Sequence, residues 1–258
     1  MTEWATIQQP TSYNILVIGD LCTDIYQYGT VDRISPEAPV PVFNFSYQEQ
    51  RAGMAGNVVS NLKALGCNVN FLHDQCSTKT RLIDSRSKQH IVRIDNDVKS
   101  TAITFDTAIP NVYDAVVISD YNKGTVSYEL MEEIIEASRH GVNFPVFIDT
   151  KKTDLARLQG AWVKINELEY SRIDSDCSGL IVTRGAKGAS VIYHEIECAA
   201  PKVEVSDVCG AGDTFLAALA YWYVKSKNIK QAAEFAVKAS AVTVQHLGVY
   251  APTLEEIL

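Results

Sequence analysis

The segment from residue 207 to residue 215 carries the clearest chemical signal in the sequence. It reads Asp-Val-Cys-Gly-Ala-Gly-Asp-Thr-Phe and runs into residues 215–224, an apolar stretch typical of a buried helix. Gly210 and Gly212 free the backbone to turn its N–H groups toward one point. The helix adds unpaired N–H groups and the positive end of its dipole. This combination predicts a nest that binds phosphate oxygens.

Asp213 lies within that positive end, where we expect a carboxylate to stay ionised and to accept a proton from an attacking hydroxyl. The amides of Gly210, Ala211 and Gly212 would stabilise the charge that develops in phosphoryl transfer. The plainer alternative is an Asp that only caps the helix, which is its usual role there. A cap needs neither two preceding glycines nor an apolar helix behind it, so the pattern favours a catalytic base.

Short apolar runs that end in Asp, Gly or Thr alternate with helical patterns along the chain. The runs predict buried strands at residues 14–19, 115–119, 146–148, 162–165 and 180–183. Apolar periodicity predicts helices at residues 57–65, 128–139, 215–224 and 231–245. The alternation predicts an α/β sandwich around a mostly parallel sheet, with ligands beyond the carboxyl ends of the strands.

Two segments, residues 25–47 and 80–96, interrupt this alternation. The first has three prolines among aromatic and β-branched residues, and the second alternates polar and apolar residues near its end. Both predict strands that are exposed on one face and lie outside the main sheet. We therefore expect a small β flap, or lid, over the ligand edge, with apolar strand surface that pairs two copies into a homodimer.

Composition limits the classes of function. The net charge of −8 argues against nucleic-acid binding, although a few local Lys or Arg side chains suffice for a small anionic substrate. No run approaches the ~20 apolar residues of a membrane-spanning helix, and the polar residues 1–12 lack a secretory pattern, so a cytoplasmic location is expected. The six cysteines form no C-x-x-C pair, which favours reduced thiols over a metal cage or disulfide framework.

The Gly-Ala-Gly-Asp segment at residues 210–213, with Asp207 just before it, resembles the signature of the ribokinase-like (PfkB) carbohydrate kinases. Other pieces follow in the family's order along nearly the whole chain. The resemblance implies a ribokinase-like three-layer sandwich in one domain over residues 1–258. It also implies a sugar kinase that uses ATP and Mg²⁺.

The resemblance further implies which residues hold the acceptor sugar. Gly19-Asp20 followed by Asp24 resembles the family's first strand and sugar-binding turn, and residues 53–57 resemble the glycine-rich turn that ends in a sugar-binding Asn. The implied substrate-binding positions are Asp20, Asp24, Gly53 and Asn57. As plainer alternatives, Asp20 is an ordinary turn residue and Asn57 a helix N-cap.

The nucleotide and its metal have implied positions too. Residues 166–169 resemble the N-x-x-E motif, in which Asn166 and Glu169 order magnesium and phosphates through water. Residues 183–188 resemble the nucleotide loop, with contacts at Thr183, Gly185 and Gly188. The plainer alternatives are surface polar side chains after a strand for the first motif and a simple turn for the second.

One branch of the family fits best. Residues 33–42, Arg-Ile-Ser-Pro-Glu-Ala-Pro-Val-Pro-Val, resemble a signature of bacterial D-glycero-D-manno-heptose 7-phosphate kinases, which phosphorylate the anomeric hydroxyl. Arg33, Lys123 and Lys151 would then recognise the phosphate of the acceptor, or else be solvated charges. Two alternatives stay open: a kinase of another small sugar or nucleoside, and a catalytically dead protein that binds a sugar phosphate.

The sequence also departs from the family pattern. Met54 stands at the second glycine of the glycine-rich turn, where it would stiffen or re-aim the flap hinge. Val237 stands where the heptose kinases carry an Asn near the nucleotide. The chain looks shorter than the family near residues 72–80, which cannot hold a further parallel crossover. It also looks shortened by a helix near residues 172–179. We expect the sheet to lose an edge strand.

Overall fold

The computed structural model describes residues 12–104, 112–139 and 144–258. Residues 1–11, to which the expectation about a secretory signal applies, lie outside the described residues. Among the helices of the described ranges, none is both long and apolar enough to cross a membrane.

Eight strands form the central sheet. They are β1 (Asn14–Gly19), β4 (Asn68–Leu72), β7 (Ala115–Asp120), β8 (Val146–Thr150), β9 (Trp162–Asn166), β10 (Leu180–Thr183), β11 (Ala189–Val191) and β12 (Ile196–Cys198). Their order is β12-β11-β10-β9-β8-β7-β1-β4. The strands from β10 to β4 run parallel, whereas β11 and β12 form an antiparallel edge. The carboxyl ends of six parallel strands therefore share one edge of the sheet.

Helices cover both faces of this sheet. They are α1 (Ala55–Ala64), α2 (Tyr128–Arg139), α3 (Glu167–Tyr170), α4 (Ala211–Ser226), α5 (Ile229–Thr243) and α6 (Leu254–Ile257). Alternate residues of β1 enter two separate cores: Ile15 and Val17 pack toward α1, α4 and α5, and Leu16 and Ile18 pack toward α2. The predicted three-layer α/β sandwich is confirmed.

A second sheet forms the flap. Its strands are β2 (Leu21–Ile34), β3 (Pro41–Met54), β5 (Cys76–Asp84) and β6 (His90–Asn96), in the order β3-β2-β5-β6. The segments 25–47 and 80–96 cover parts of these strands and the connections 35–40 and 85–89, and β2, β3 and β5 extend beyond them toward the main sheet. Only Asp20 separates β1 from β2, and β3 leads directly into α1. The flap is thus a continuation of elements that are anchored in the core.

The chain passes from β4 to β5 through residues 73–75 alone. No crossover helix intervenes at this point, and β4 pairs only with β1 among the described strands, so it is the edge of the main sheet. Whether relatives carry a further strand beyond this edge stays a prediction.

Candidate active site

The nest predicted around residue 210 lies at the start of α4. Gly210 is the N-cap residue and has a φ of 77°, in the left-handed region that favours glycine. A Cβ atom there would lie 2.6 Å from Asn57 Nδ2, so a side chain has no room. The Ala211 amide makes a long hydrogen bond, 3.4 Å, to the Val208 carbonyl oxygen. The first-turn amides of α4 face the carboxyl edge of the sheet with the positive end of the helix dipole.

Asp213 lies in the first turn of α4 and is only 4% exposed. Asn57 Nδ2 donates a hydrogen bond to Asp213 Oδ2 at 2.9 Å, and the Tyr121 hydroxyl donates one to Asp213 Oδ1 at 2.8 Å. The N-cap of α4 is Gly210, and the N-cap of α1 is Met54. Neither Asp213 nor Asn57 is therefore a helix cap, and the two side chains contact each other instead.

The environment of Asp213 makes it a stronger base than an exposed Asp. Burial raises the pKa of Asp213 to about 6, and the negative charge of Asp149 acts in the same direction. The hydrogen bonds from Asn57 and Tyr121 and the charge of Lys164 lower it, so they limit the rise. A carboxyl group with this pKa is ionised at neutral pH and remains able to accept a proton.

Asp24 and Gly53 meet where β2 pairs with β3. A Cβ atom on Gly53 would lie 2.1 Å from Asp24 Oδ2, so the position requires glycine. The other oxygen, Asp24 Oδ1, accepts a hydrogen bond from Arg81 Nη1 of β5 at 2.5 Å, and both residues are buried. The guanidinium of Arg81 also lies over the ring of Tyr26. A flap cation thus neutralises the carboxylate predicted to bind sugar.

Asp20 supports a loop. Its carboxylate accepts hydrogen bonds from the backbone N–H groups of Tyr121, Lys123 and Thr125 at 2.8, 3.1 and 3.3 Å. These bonds fix the turn after β7 and hold Tyr121 beside Asp213. Both oxygens of Asp20 are engaged in this way.

The structure does not bring the three candidate phosphate-binding cations together. Arg33 is exposed near the end of β2, nine residues beyond Asp24, or roughly 30 Å along an extended strand. Lys123 pairs with Asp97 of the segment after β6 at 2.5 Å. Lys151 pairs with Glu169 and lies 4.0 Å from Asp149 Oδ1.

Asn166 and Glu169 form a capping box at α3. Asn166 Oδ1 accepts from the Glu169 amide, and Glu169 Oε2 accepts from the Asn166 amide, each at 2.8 Å. Burial alone would raise the pKa of Glu169, but the hydrogen bonds from Lys151 and the Asn166 amide hold it below its usual value. Within the described ranges, no three His, Cys, Asp or Glu side chains converge on a metal position. That Asn166 and Glu169 order magnesium through water stays a prediction.

The three residues predicted to contact the nucleotide line one cavity together with the start of α4. Its volume is about 370 Å³, and its walls include Thr183, Gly185 and Gly188 together with Ala211 and Gly212. Much of the remaining wall is apolar and comes from β-branched and small residues, Val237 among them. An apolar slot that opens onto the nest suits a flat ring joined to phosphates.

Sequence reasoning missed three residues of this region. Tyr121 contacts Asp213, Arg81 pairs with Asp24, and Lys164 forms a buried ion pair with Asp149. A weak signal existed for Lys164, because a lone charge within the apolar run of residues 162–165 needs a buried partner. The contacts of Tyr121 and Arg81 join residues 92 and 57 positions apart, and no local pattern predicts them.

Curated relatives resemble this chain over most of its length. The bifunctional protein HldE of a Nitratiruptor species is 35% identical and matches 94% of the chain. The HldE proteins of Helicobacter acinonychis and Pasteurella multocida are 30% and 32% identical, and they match 94% and 91% of this chain. The chain spans only 64%, 65% and 60% of the length of these three relatives. The first alignment extends over 303 positions, so that relative carries segments that this chain of 258 residues lacks.

Solved structures of ribokinases share the fold. A ribokinase from Thermotoga maritima superposes with a TM-score of 0.68 at 16% identity, over 95% of this chain and 98% of its own. The Arabidopsis thaliana ribokinase complexed with ribose and ATP superposes with a TM-score of 0.70 at 18% identity. The superposition covers 96% of this chain and 98% of that ribokinase. At such identities the likeness shows the fold, and the predicted ribokinase-like fold is confirmed.

A family model described as pfkB family carbohydrate kinase matches residues 73–256, which is more than half of the chain. The matched region contains the nest, Asp213, the capping box at residues 166–169 and the cavity lined by Thr183, Gly185 and Gly188. The chain is a kinase and belongs to the pfkB family of carbohydrate kinases.

Proposed function

We propose that this carbohydrate kinase transfers the γ-phosphate of ATP to the anomeric hydroxyl of D-glycero-D-manno-heptose 7-phosphate, with Asp213 as the general base. The observation that carries the proposal is the position of Asp213. Its buried carboxylate lies in the first turn of α4, between Asn57 and Tyr121, and has a pKa of about 6. A proton acceptor and an anion nest therefore occupy the same helix terminus.

In the proposed reaction, the acceptor hydroxyl lies between Asp24 on the flap side and Asp213 on the α4 side. The hydroxyl proton moves to the Asp213 carboxylate as the oxygen forms a bond to the γ-phosphorus. The bond from that phosphorus to the oxygen bridging it to the β-phosphate breaks, and ADP leaves. The amides of Gly210, Ala211 and Gly212 stabilise the charge on the transferring group. The Ala211 amide must give up its long bond to Val208 to do so.

The nucleotide is proposed to lie in the 370 Å³ cavity, with its ring against the apolar wall and its phosphates toward Gly212. Thr183, Gly185 and Gly188 form the wall on the β10 side. Val237, at the position where the heptose kinases carry an Asn, adds apolar surface rather than a hydrogen bond. Recognition of the ring would therefore rest mainly on shape and burial.

A hydrated magnesium ion is proposed to bind near Glu169 in place of a cation that is already there. The ammonium of Lys151 lies between Glu169 and Asp149 Oδ1, so a positive charge already occupies the space between two carboxylates. Mg²⁺ would neutralise the phosphate charge, and Asn166 and Glu169 would hold it through water. The proposal requires Lys151 to move toward solvent or toward the acceptor phosphate when a metal–nucleotide complex binds.

The acceptor is inferred from residues 33–42 and from the HldE relatives. The ten-residue segment resembles the heptose 7-phosphate kinases more specifically than the short glycine patterns do. A substrate panel tests the inference: D-glycero-D-manno-heptose 7-phosphate, its unphosphorylated form, other sugar phosphates and nucleosides. Preferred turnover of the heptose 7-phosphate, with the new phosphate located at O1 by phosphorus NMR, is the expected result. Faster turnover of an unphosphorylated sugar or a nucleoside would reject the acceptor while keeping the kinase.

We also propose that the active form is a cytoplasmic homodimer joined through the flaps. Large apolar side chains remain exposed on the flap, among them Ile34, Phe45, Tyr47 and Ile94. A second flap would cover this surface and also the free edges of β3 and β6. All six cysteines are free thiols, as suits a reducing compartment. Sedimentation should give twice the monomer mass for the native chain and the monomer mass for Phe45→Asp. A monomeric native protein would remove the proposal.

A further inference from the structure

Lys164 is a buried cation that lies beside the start of α4. It lies in β9, where Val163 and Ile165 point into the core beside α2. Because side chains alternate along a strand, Lys164 points to the other face, toward α4. It is 3% exposed, and a Cβ atom on Gly212 would lie 2.8 Å from its Nζ atom. The ammonium therefore lies against the second glycine of the nest.

This position is unfavourable for a cation in the absence of an anion. The start of α4 carries the positive end of the helix dipole, which repels an ammonium group. Asp149 offsets part of this repulsion, because its Oδ2 atom accepts a hydrogen bond from Lys164 Nζ at 2.7 Å. That is one bond for a group with three donors, within the described part of the chain.

The partner carboxylate is also incompletely bonded. Asp149 Oδ1 is buried and has no hydrogen-bond partner among the described residues, and Lys151 Nζ lies 4.0 Å away. Lys164 and Asp149 thus form a buried polar cluster with donors and an acceptor to spare. Such a cluster is costly unless a further polar group completes it. The adjacent nest is the place where phosphate oxygens would accept the remaining hydrogen bonds of the Lys164 ammonium.

We propose that Lys164 is a further catalytic residue, whose ammonium contacts the phosphoryl group during its transfer, and that Asp149 is the positioning residue that holds the ammonium beside Gly212. The inference rests on the proposed phosphoryl transfer. It gives a second reason for glycine at position 212, besides backbone freedom: the Lys164 ammonium occupies the space that a side chain there would need. It also explains why a lysine interrupts an otherwise apolar strand.

Binding measurements, which need no turnover, test the proposed contact between Lys164 and the γ-phosphate. Calorimetry compares ADP with a non-hydrolysable ATP analogue, each with Mg²⁺, on the full chain. Lys164→Met should weaken the analogue at least ~10-fold and leave ADP nearly unchanged, because only the analogue has a γ-phosphate. Lys152→Met is the control, since the half-buried Lys152 pairs with the buried Asp120 at 2.8 Å elsewhere on the sheet edge. The control should keep the native ratio of the two affinities.

Kinetics then shows whether Lys164 contacts the phosphoryl group or only neutralises the charge of Asp149. Lys164→Met should lower kcat by ~10²-fold, the usual cost of removing one group that stabilises the transferring charge. In Lys164→Met with Asp149→Asn, both charges are gone, so a lysine that only offsets Asp149 would no longer matter. We expect kcat to stay low in this double variant. Recovery of kcat to within a few-fold of the native value would overturn the inference.

Two further comparisons keep the outcome unambiguous. Removing both charges of a buried pair is tolerated better than removing one, so the double variant carries the test if Lys164→Met does not fold. Gly212→Ala displaces the ammonium without a change of charge and should also lower kcat. An unchanged preference for the γ-phosphate in all the variants contradicts the inference. Absence of turnover in the native protein rejects the proposed function, whereas the binding comparison still reports on Lys164.

Discussion

The hydroxyl of Tyr121 donates a hydrogen bond to Asp213 Oδ1 at 2.8 Å. The two residues lie 92 positions apart, and Asp20 fixes the geometry by binding the backbone of the loop that carries Tyr121. The hydrogen bonding of the Asp213 carboxylate, at the start of α4, therefore depends on residues that follow β1 and β7. Asp20, which the sequence predicts to bind sugar, supports in this structure the loop that carries Tyr121.

Tyr121→Phe should shift the pH dependence of the reaction. The Tyr121 hydrogen bond stabilises the ionised form of Asp213 and lowers its pKa, so its loss raises that pKa further above 6. A neutral-donor bond is worth ~0.5–1.5 kcal/mol, which corresponds to a shift of about one pH unit or less. The acid limb of the kcat/KM profile should move to higher pH by that amount.

Tyr193→Phe is the control for this measurement. Its hydroxyl also donates to an aspartate, Asp176, but at an exposed position near β11. The profile of this variant should coincide with the native one. An unshifted acid limb in Tyr121→Phe, with a folded protein, would mean that the Asp213 pKa does not control the reaction.

Asp213→Asn should lose activity and gain stability at neutral pH. General-base catalysis contributes typically ~10²–10⁴ in rate. The folded-state pKa of Asp213, about 6, lies above the ordinary value of 3.8, so its contribution to stability is present below about pH 4 and lost as the pH rises through 6. Ionisation in the buried site then costs about 3 kcal/mol at pH 8.

Denaturant unfolding of both proteins at several pH values measures this cost. The difference in unfolding free energy, variant minus native, should increase by about 2 kcal/mol between pH 4 and pH 8. The Tyr121 hydroxyl can rotate to accept from the Asn amide, which limits other losses. A difference that stays constant over this pH range would show that Asp213 is not a buried base with a raised pKa.

Met54→Gly should improve use of the acceptor. Met54 has a φ of 54° and a ψ of −133°, a conformation that costs a non-glycine residue ~1–3 kcal/mol and that fixes the hinge between β3 and α1. Glycine there would free the flap to close over the acceptor, so KM for the acceptor should fall. The buried Met side chain is lost as well, which offsets the gain in stability.

Lys227→Gly provides the comparison for this hinge. Lys227 also has a positive φ, 51°, but it ends α4 far from the flap. It should change thermal stability slightly and leave KM unchanged. Equal KM values for Met54→Gly and the native protein would mean that Met54 does not limit closure.

Arg33→Met, Lys123→Met and Lys151→Met test which cation recognises the acceptor phosphate. Loss of a charged hydrogen bond should cost about 1.5–3 kcal/mol in affinity for the phosphorylated acceptor and little for the unphosphorylated one. Calorimetry with both acceptors gives this difference for each variant. Equal effects on the two acceptors would assign the cation a structural role, such as the pairs of Lys123 with Asp97 and Lys151 with Glu169.

Local patterns predicted the elements but not the contacts between them. Helix α2 and strand β10 have the predicted bounds, because amphipathic periodicity and a short buried run are properties of neighbouring residues. The flap strands are longer than predicted, since their pairing with each other extends them beyond the apolar segments. The capping box of Asn166 with Glu169 and the pairing of Arg81 with Asp24 depend on the folded backbone. A motif indicates which residues are present, and only the fold determines which of them meet.

The most direct test of the account is a coupled assay of ATP consumption by the native protein over a panel of sugar phosphates. The intact nest and the buried base should give measurable turnover that requires both Mg²⁺ and an acceptor, with a high KM for the acceptor because Met54 restrains the flap. Asp213→Asn, assayed beside it, should reduce that turnover by ~10²–10⁴. A folded native protein that binds sugar phosphates but consumes no ATP with any of them would contradict the account and establish a binding protein on a kinase fold.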